Sequence, residues 1–292
     1  LDVVLAIGVG GVVGTGVLLG LGRSVSELTP AGVASALATT AIDASGVRAS
    51  ATPRGPWAFE GESEQGPLLI RVVDEQAWQT DSLDRAYRRL RLRGSGDESA
   101  HSSPARAITS EAMVTLLAAD RGVAVPRVLT VARAPQGEAV LAVERVPGLP
   151  LDELKPEQIT DDVLARVWAQ VVAMHAARIA HRDLTTHHLV VDPDGAVVVT
   201  NLARGEAGAS NDLLAADNAE LLASTYALVG PQRAVAAALS ALDTEALAAA
   251  AARLVPAALT PATRAALKKV EGGLQPLIDE AAKASGVDKP VL

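Results

Sequence analysis

The chain has no cysteine, and its only aromatic residues are one phenylalanine, two tyrosines and three tryptophans among 292 residues. Without cysteine there is no disulfide framework and no thiolate metal site, which fits a cytosolic domain. Scarce aromatics exclude a stacking platform for single-stranded nucleic acid. Any core must instead be built from alanine, leucine and valine, since 49% of the chain is hydrophobic. Positive charge is also in short supply. A net charge of -8 argues against a general DNA or RNA binder. No Gly-x-Ser-x-Gly elbow is present, so that route to hydrolysis is absent too.

Charge is missing altogether from residues 3–22, "VVLAIGVGGVVGTGVLLGLG". About twenty residues rising ~1.5 Å each span ~30 Å, the thickness of one hydrocarbon core. Gly10 and Gly14, like Gly16 and Gly20, sit four apart, a spacing that lets membrane helices approach closely. The competing reading is a buried, glycine-rich soluble segment. Arg23 follows the run, and a single arginine biases the residues after it to the cytoplasmic side. Because the chain opens on Leu1, a piece of a longer membrane polypeptide is expected. Residues 1–23 are read as a transmembrane helix and 24–49 as a leading helix and linker.

The remaining length suits two lobes. Thr29-Pro30 opens an apolar helix over 29–43. Strands are expected at 56–61 and 67–73, a basic helix at 82–93, a loop at 94–105 and a helix at 107–121. Two more strands follow at 127–133 and 138–145, and Pro147-Gly148 marks a change of direction. From 160 onward the pattern is helical, at 160–178, 212–228, 231–241, 243–253 and 260–285. One hairpin interrupts it, "LVVDPDGAVVVT", whose Asp194-Gly195 suits a tight turn. The fold class is therefore α+β, with a small β-rich lobe over 50–147 and a helical lobe over 148–292.

The stretch "MHAARIAHRDLTTHHLVVDPDGAVVVTNLARGE", residues 174–206, carries the chemistry. Together with the element order it resembles the protein-kinase-like fold, including the aminoglycoside phosphotransferase branch, over about residues 50–250. That resemblance implies a catalytic base, two Mg²⁺ ligands and a cation on the nucleotide. The base position is kept as Asp183. The first metal position holds His188 rather than asparagine. The second holds Asn201, in "NLA", where the family has Asp-Phe-Gly. The nucleotide lysine is replaced by Arg71 in "LLIRVV", and its carboxylate partner is kept as Glu111. No Gly-x-Gly-x-x-Gly is seen between 50 and 66, where "EGESEQG" is acidic.

These replacements decide the expected function. Phosphoryl transfer rests on metal ions and cations that neutralise the phosphates. Asn201 offers Mg²⁺ a carbonyl but no charge, and neutral His188 is a poor ligand for so hard an ion. The planar fork of arginine is larger than an ammonium. The expectation is a pseudokinase-like domain with a regulatory or binding role and no cofactor. ATP and Mg²⁺ enter only under the alternative of an active phosphotransferase on a small molecule or lipid headgroup, with Asp183 as base. A structural spacer is the third possibility.

Two further features stand out in the sequence. Four of the five histidines, His175, His181, His187 and His188, fall within fourteen positions. The family pattern assigns His175 and His181 to packing, so no metal site is expected. The segment "DSLDRAYRRLRLRG" holds Arg85, Arg88, Arg89, Arg91 and Arg93, with Leu83, Tyr87 and Leu90 able to share a face. Such a helix can lie on anionic lipid headgroups or form a solvated surface. As a whole, the chain resembles the internal cytoplasmic part of actinobacterial multi-pass membrane proteins of the lysylphosphatidylglycerol synthase, flippase-like group. That resemblance implies phospholipid modification or translocation as the context, and the rest of the same polypeptide as partner.

Overall fold

A computed structural model describes residues 29–50, 57–73, 103–134 and 137–286. The membrane span expected over 1–23 and the arginine helix expected over 82–93 lie outside these residues. Among the described residues no helix is long and apolar enough to cross a membrane.

The first lobe is a five-stranded antiparallel sheet. Its strands are β1 (Ser45–Ala49), β2 (Trp57–Ser63), β3 (Gly66–Val73), β4 (Val128–Arg133) and β5 (Ala139–Glu144), in the order β1-β2-β3-β5-β4. Successive side chains point to opposite faces, and β5 is apolar at every position but its last because both faces are covered. Val140 and Ala142, with Leu68 and Ile70, pack under Val33 and Leu37 of helix α1 (Pro30–Ala38). Ala139, Leu141 and Val143 pack on Ile108 and Ala112 of helix α2 (Pro104–Asp120).

Helix α1 begins as expected, with Thr29 capping Gly32 N at 3.2 Å and Pro30 in the first turn. It ends five residues earlier than expected. Thr39 and Thr40 turn their hydroxyls back onto the carbonyls of Ala36 and Leu37, and Ala41 adopts a left-handed φ of 62°. The chain then forms β1, which lies within the stretch read as linker. Only Val47 of this strand is even half-buried, so no apolar alternation announced it. Strand β1 also moves the glycine-loop question. Residues 50–56 connect β1 to β2, whereas "EGESEQG" is the end of β2 and its turn into β3. Of its acids, Glu60 pairs with Arg48 at 2.9 Å and Arg145 at 3.6 Å.

The lobes are joined through a short linker. Arg145 N donates to Pro67 O at 2.9 Å in the sheet, and Leu149–Pro150 (β6) already pairs with β8 (Leu189–Val191) of the second lobe. Gly148 lies between, at φ 115°, and a Cβ there would stand 2.1 Å from the Val191 carbonyl oxygen. Only glycine fits.

The second lobe is helical: α3 (Asp161–Ala176), α4 (Asn211–Val229), α5 (Pro231–Leu239), α6 (Thr244–Ala251), α7 (Pro261–Leu267) and α8 (Gln275–Ser285). The last two replace a single helix expected over 260–285. Gly272 and Gly273 take φ of 77° and 59°, and Pro276 lies in the first turn of the next helix. The apolar pattern could not show this break, because it continues on both sides. The hairpin of β8 and β9 (Val197–Val199) forms as expected. The lobe closes on Trp168 and Val171 of α3 and on Leu222 and Tyr226 of α4, all buried. Truncating a buried tryptophan such as Trp168 costs about 3–5 kcal/mol. Val114 and Ala118 of α2 join this core as well, so α2 belongs to both lobes.

Candidate functional site

The quoted motif lies along the edge of the second lobe that faces the sheet. After α3, Arg178 turns the chain at φ 58°, and Ile179–Ala180 (β7) pairs with Glu206–Ala207 (β10). Arg182 is also left-handed, at φ 64°. Non-glycine residues in that region store strain, and the surroundings must hold them there. Here Asp217 of α4 holds the loop, accepting from the backbone N–H groups of His181 at 2.5 Å and Arg182 at 2.8 Å. The Arg182 side chain crosses to Glu206 at 2.7 Å, tying the loop to β10.

His181 is fully buried. Its Nε2 lies 2.8 Å from the Thr200 carbonyl oxygen, which can only accept, so Nε2 carries the proton. Burial holds this imidazole below its usual pKa, and the neighbouring His188 adds to the effect. Asp217, the Thr200 carbonyl and Asp183 pull the other way without prevailing. The rings of His181 and His188 stack with centroids 5.5 Å apart. The expected packing role of His181 is what the structure shows. His175 Nε2 stands 3.5 Å from the Asp217 carboxylate.

Asp183, His188 and Asn201 converge. His188 Nε2 lies 3.5 Å from Asp183 Oδ2 and 3.2 Å from Asn201 Nδ2. Asn201 is left-handed at φ 61° and begins the short 3₁₀ turn Leu202–Arg204. Its Oδ1 is buried with no hydrogen-bond partner. Burial alone would raise the pKa of Asp183. The contact with His188 and the charges of His188, His181 and Arg204 outweigh it and hold the carboxyl below its ordinary value. Asp183 therefore stays ionised at neutral pH, and its side chain is 25% exposed, within reach of a ligand.

On the first lobe, Arg71 of β3 and Glu111 of α2 meet at 2.7 Å across forty positions of sequence. Glu111 is only 3% exposed, and burial raises its pKa more than Arg71 lowers it. The Nε of Arg71 is buried without a partner. The two groups of residues share one boundary, where Glu111 and Asn201 line the same small cavity with Thr115, Leu141, Val199 and Leu202. It encloses about 10 Å³, the space of a single water. The structure thus places Arg71, Glu111, Asp183, His188 and Asn201 at the junction of the lobes. Arg85, Arg88, Arg89, Arg91 and Arg93 lie outside the described residues.

Mg²⁺, which the resemblance implies, does not fit this donor set. It takes oxygen ligands and several waters, whereas an imidazole nitrogen, His188 Nε2, stands against both Asp183 and Asn201.

Sequence reasoning missed Asp217, Glu206 and Arg204. Asp217 gave no local signal in the sequence; its need for partners shows only in its burial. It stands with Asn218 and Glu220 in a helix whose residues 217–226 are all buried, and a carboxylate in such a helix must have partners. Glu220 finds them in Thr260 N at 2.9 Å and in the Thr260 and Thr263 hydroxyls; burial raises its pKa against these bonds. A second cluster was missed too. Asp152, Glu153 and His187 bring potential ligand atoms within 4.8 Å of one another, and Asp152 and His187 approach at 3.2 Å.

No protein-family model matches the chain, and no curated protein matches it. Among solved structures it is similar to an aminoglycoside-3'-phosphotransferase of type VIII, at 16% identity and TM-score 0.48, over 75% of this chain and 97% of that one. It is also similar to the Cydia pomonella granulovirus kinase PK-1, at 12% identity and TM-score 0.34, over 51% of this chain. This chain covers 47% of that kinase, about half its length.

Proposed function

We propose that this chain is a kinase-like module that has lost Mg²⁺-dependent phosphotransfer and serves as a regulatory or binding domain. The observation that carries the reading is the contact of His188 with both Asp183 and Asn201. An imidazole occupies the ground between the base and the second ligand position, where phosphotransfer needs a hard cation. The Arg71–Glu111 pair then acts as a clamp between sheet and helix.

The active alternative has one observation in its favour: Asp183 is partly exposed and held ionised, as a base must be. The two readings separate in a turnover assay. Residues 24–292 are expected to release no phosphate from Mg²⁺-ATP above the level of Asp183→Asn. Turnover that disappears in Asp183→Asn establishes the active reading instead. The double change His188→Asn with Asn201→Asp tests whether restoring both ligands restores activity.

The membrane context belongs to the same proposal. The uncharged run 3–22 supports a span, and the arginines at 85–93 support contact with anionic headgroups on the cytoplasmic side. The module would then serve a larger membrane polypeptide that modifies or translocates phospholipid.

A further inference from the structure

Helix α2 buries one side and leaves the other bare. Ile108, Ala112, Val114 and Ala118 face the sheet or the second lobe. Met113 and Leu116, neighbours one turn apart, are 65% and 54% exposed. Val131 of the edge strand β4, also exposed, pairs with Leu141, so it lies on the face of the sheet that α2 covers. Three of the four large apolar side chains exposed among the described residues thus stand on one side of the first lobe. A single exposed apolar residue needs no explanation, but a group of them marks a contact surface. Both ends of residues 74–102 lie beside this helix. Val73, just before them, packs in one cluster with Ala105 and Ile108 of its first turns, and Ser103, just after them, is its N-cap.

We propose that the outer face of α2 is the docking surface for residues 82–93 of the same chain, which seat Leu83, Tyr87 and Leu90 on Met113 and Leu116. Spacings of four and three put those three side chains on one face of the helix that the sequence predicts there, and Arg85, Arg88, Arg89, Arg91 and Arg93 fall outside that face. The lengths agree. A helix over 82–93 is ~18 Å long, and Met113 and Leu116 stand ~14 and ~18 Å along α2 from Pro104, at ~1.5 Å per residue. Residues 74–81 and 94–102, at up to ~3.3 Å each, are long enough to close the path. Because both ends of the segment are fixed beside α2, its effective concentration at the strip is on the order of millimolar, which favours it over a separate partner. Docking covers the apolar strip and holds the arginines outward, where anionic headgroups can meet them. The inference goes beyond the loss of phosphotransfer and the membrane context and depends on neither.

The test uses the full chain in a neutral detergent. Because that chain has no cysteine, introduced cysteine pairs report contact against a silent background. Met113→Cys or Leu116→Cys is combined in turn with Leu83→Cys, Tyr87→Cys and Leu90→Cys. Mild oxidation is expected to close a disulfide within one chain in at least one of these pairs, which requires Cα atoms within about 7 Å. Arg85→Cys and Arg88→Cys, on the other side of the segment, are expected to cross-link far more slowly. An independent arm is Met113→Glu with Leu116→Glu. Both side chains are mostly exposed, so melting should not change. Trypsin cleavage after Arg88 and Arg89 is expected to become at least about tenfold faster, since cleavage tracks the population of the released segment. If the glutamate variant melts early, the cysteine pairs decide. Equal cross-linking from both sides of the segment overturns the proposal. So does a disulfide that joins two chains, which assigns the strip to a second copy, or unchanged cleavage in a folded glutamate variant.

Discussion

Asp217 reaches back 35 positions to Arg182 and accepts its backbone N–H at 2.8 Å, with the N–H of His181 on its other oxygen. A single buried carboxylate thus fixes the direction of the loop that carries Asp183. Hydrogen bonds to a carboxylate contribute about 1.5–3 kcal/mol each, and both donors would be orphaned by its removal. Asp217→Ala is expected to lower stability by about 3 kcal/mol or more in urea unfolding, and Asp217→Asn by less, since its amide keeps one acceptor. A loss within about 0.5 kcal/mol, the usual range of a surface substitution, would remove Asp217 from this role.

Breaking the Arg71–Glu111 pair should be costlier than deleting it. Removing one partner of a buried ion pair costs about 3–5 kcal/mol, whereas an apolar replacement of both is often neutral. Arg71→Met is therefore expected to melt well below Arg71→Met with Glu111→Leu. If the double change melts lower than the single one, Glu111 stabilises this lobe independently of Arg71 and the ion pair is not what holds it.

Acid should weaken the fold through His181. Its folded pKa lies below the unfolded value of about 6.5, so only the unfolded chain binds the proton readily. The contribution is complete above that pH and is lost as pH falls below it, by at most about 1.4 kcal/mol per pH unit. Melting temperatures of the parent chain should fall from pH 7.5 to 5.5, and those of His181→Asn should fall less. Parallel curves would assign the acid sensitivity to another group.

The membrane proposal is tested on a chain starting at Arg23. Each exposed arginine near an anionic bilayer contributes about 1 kcal/mol, within a Debye length. Binding to acidic vesicles is expected at low salt and not to neutral ones. Arg88→Gln, Arg89→Gln and Arg91→Gln together should remove most of it. Equal binding by the triple variant would make the segment an ordinary solvated surface.

The sequence made some of this legible and hid the rest for physical reasons. Periodicity located β3, β5, α2 and α3 to within a few residues because their buried faces repeat; the caps at Ser103 and Thr160 were not read, and α2 starts three residues before its expected first residue. Strand β1 was invisible because an exposed edge strand needs no apolar face. The residues at Asp183, His188 and Asn201 could be singled out through the resemblance to the kinase-like motif, but not the approach of His188 to the other two, which depends on Thr200 N returning to the His188 carbonyl at 2.8 Å. Glu206 and Asp217 act across 24 and 35 positions, a separation at which local pattern is silent.

The lobes touch at more than their linker. Ala124, just beyond α2, donates to Gln170 Oε1 at 2.8 Å and accepts from Val199 N at 2.8 Å, both in the helical lobe. Gly148, in the linker, is pressed against Val191. Between these places Val114 and Ala118 of α2 sit in the same buried core as Trp168. The two halves are therefore sewn along a seam, with α2 as the thread, and a change that shifts this one helix is felt by the sheet and by the helical lobe together.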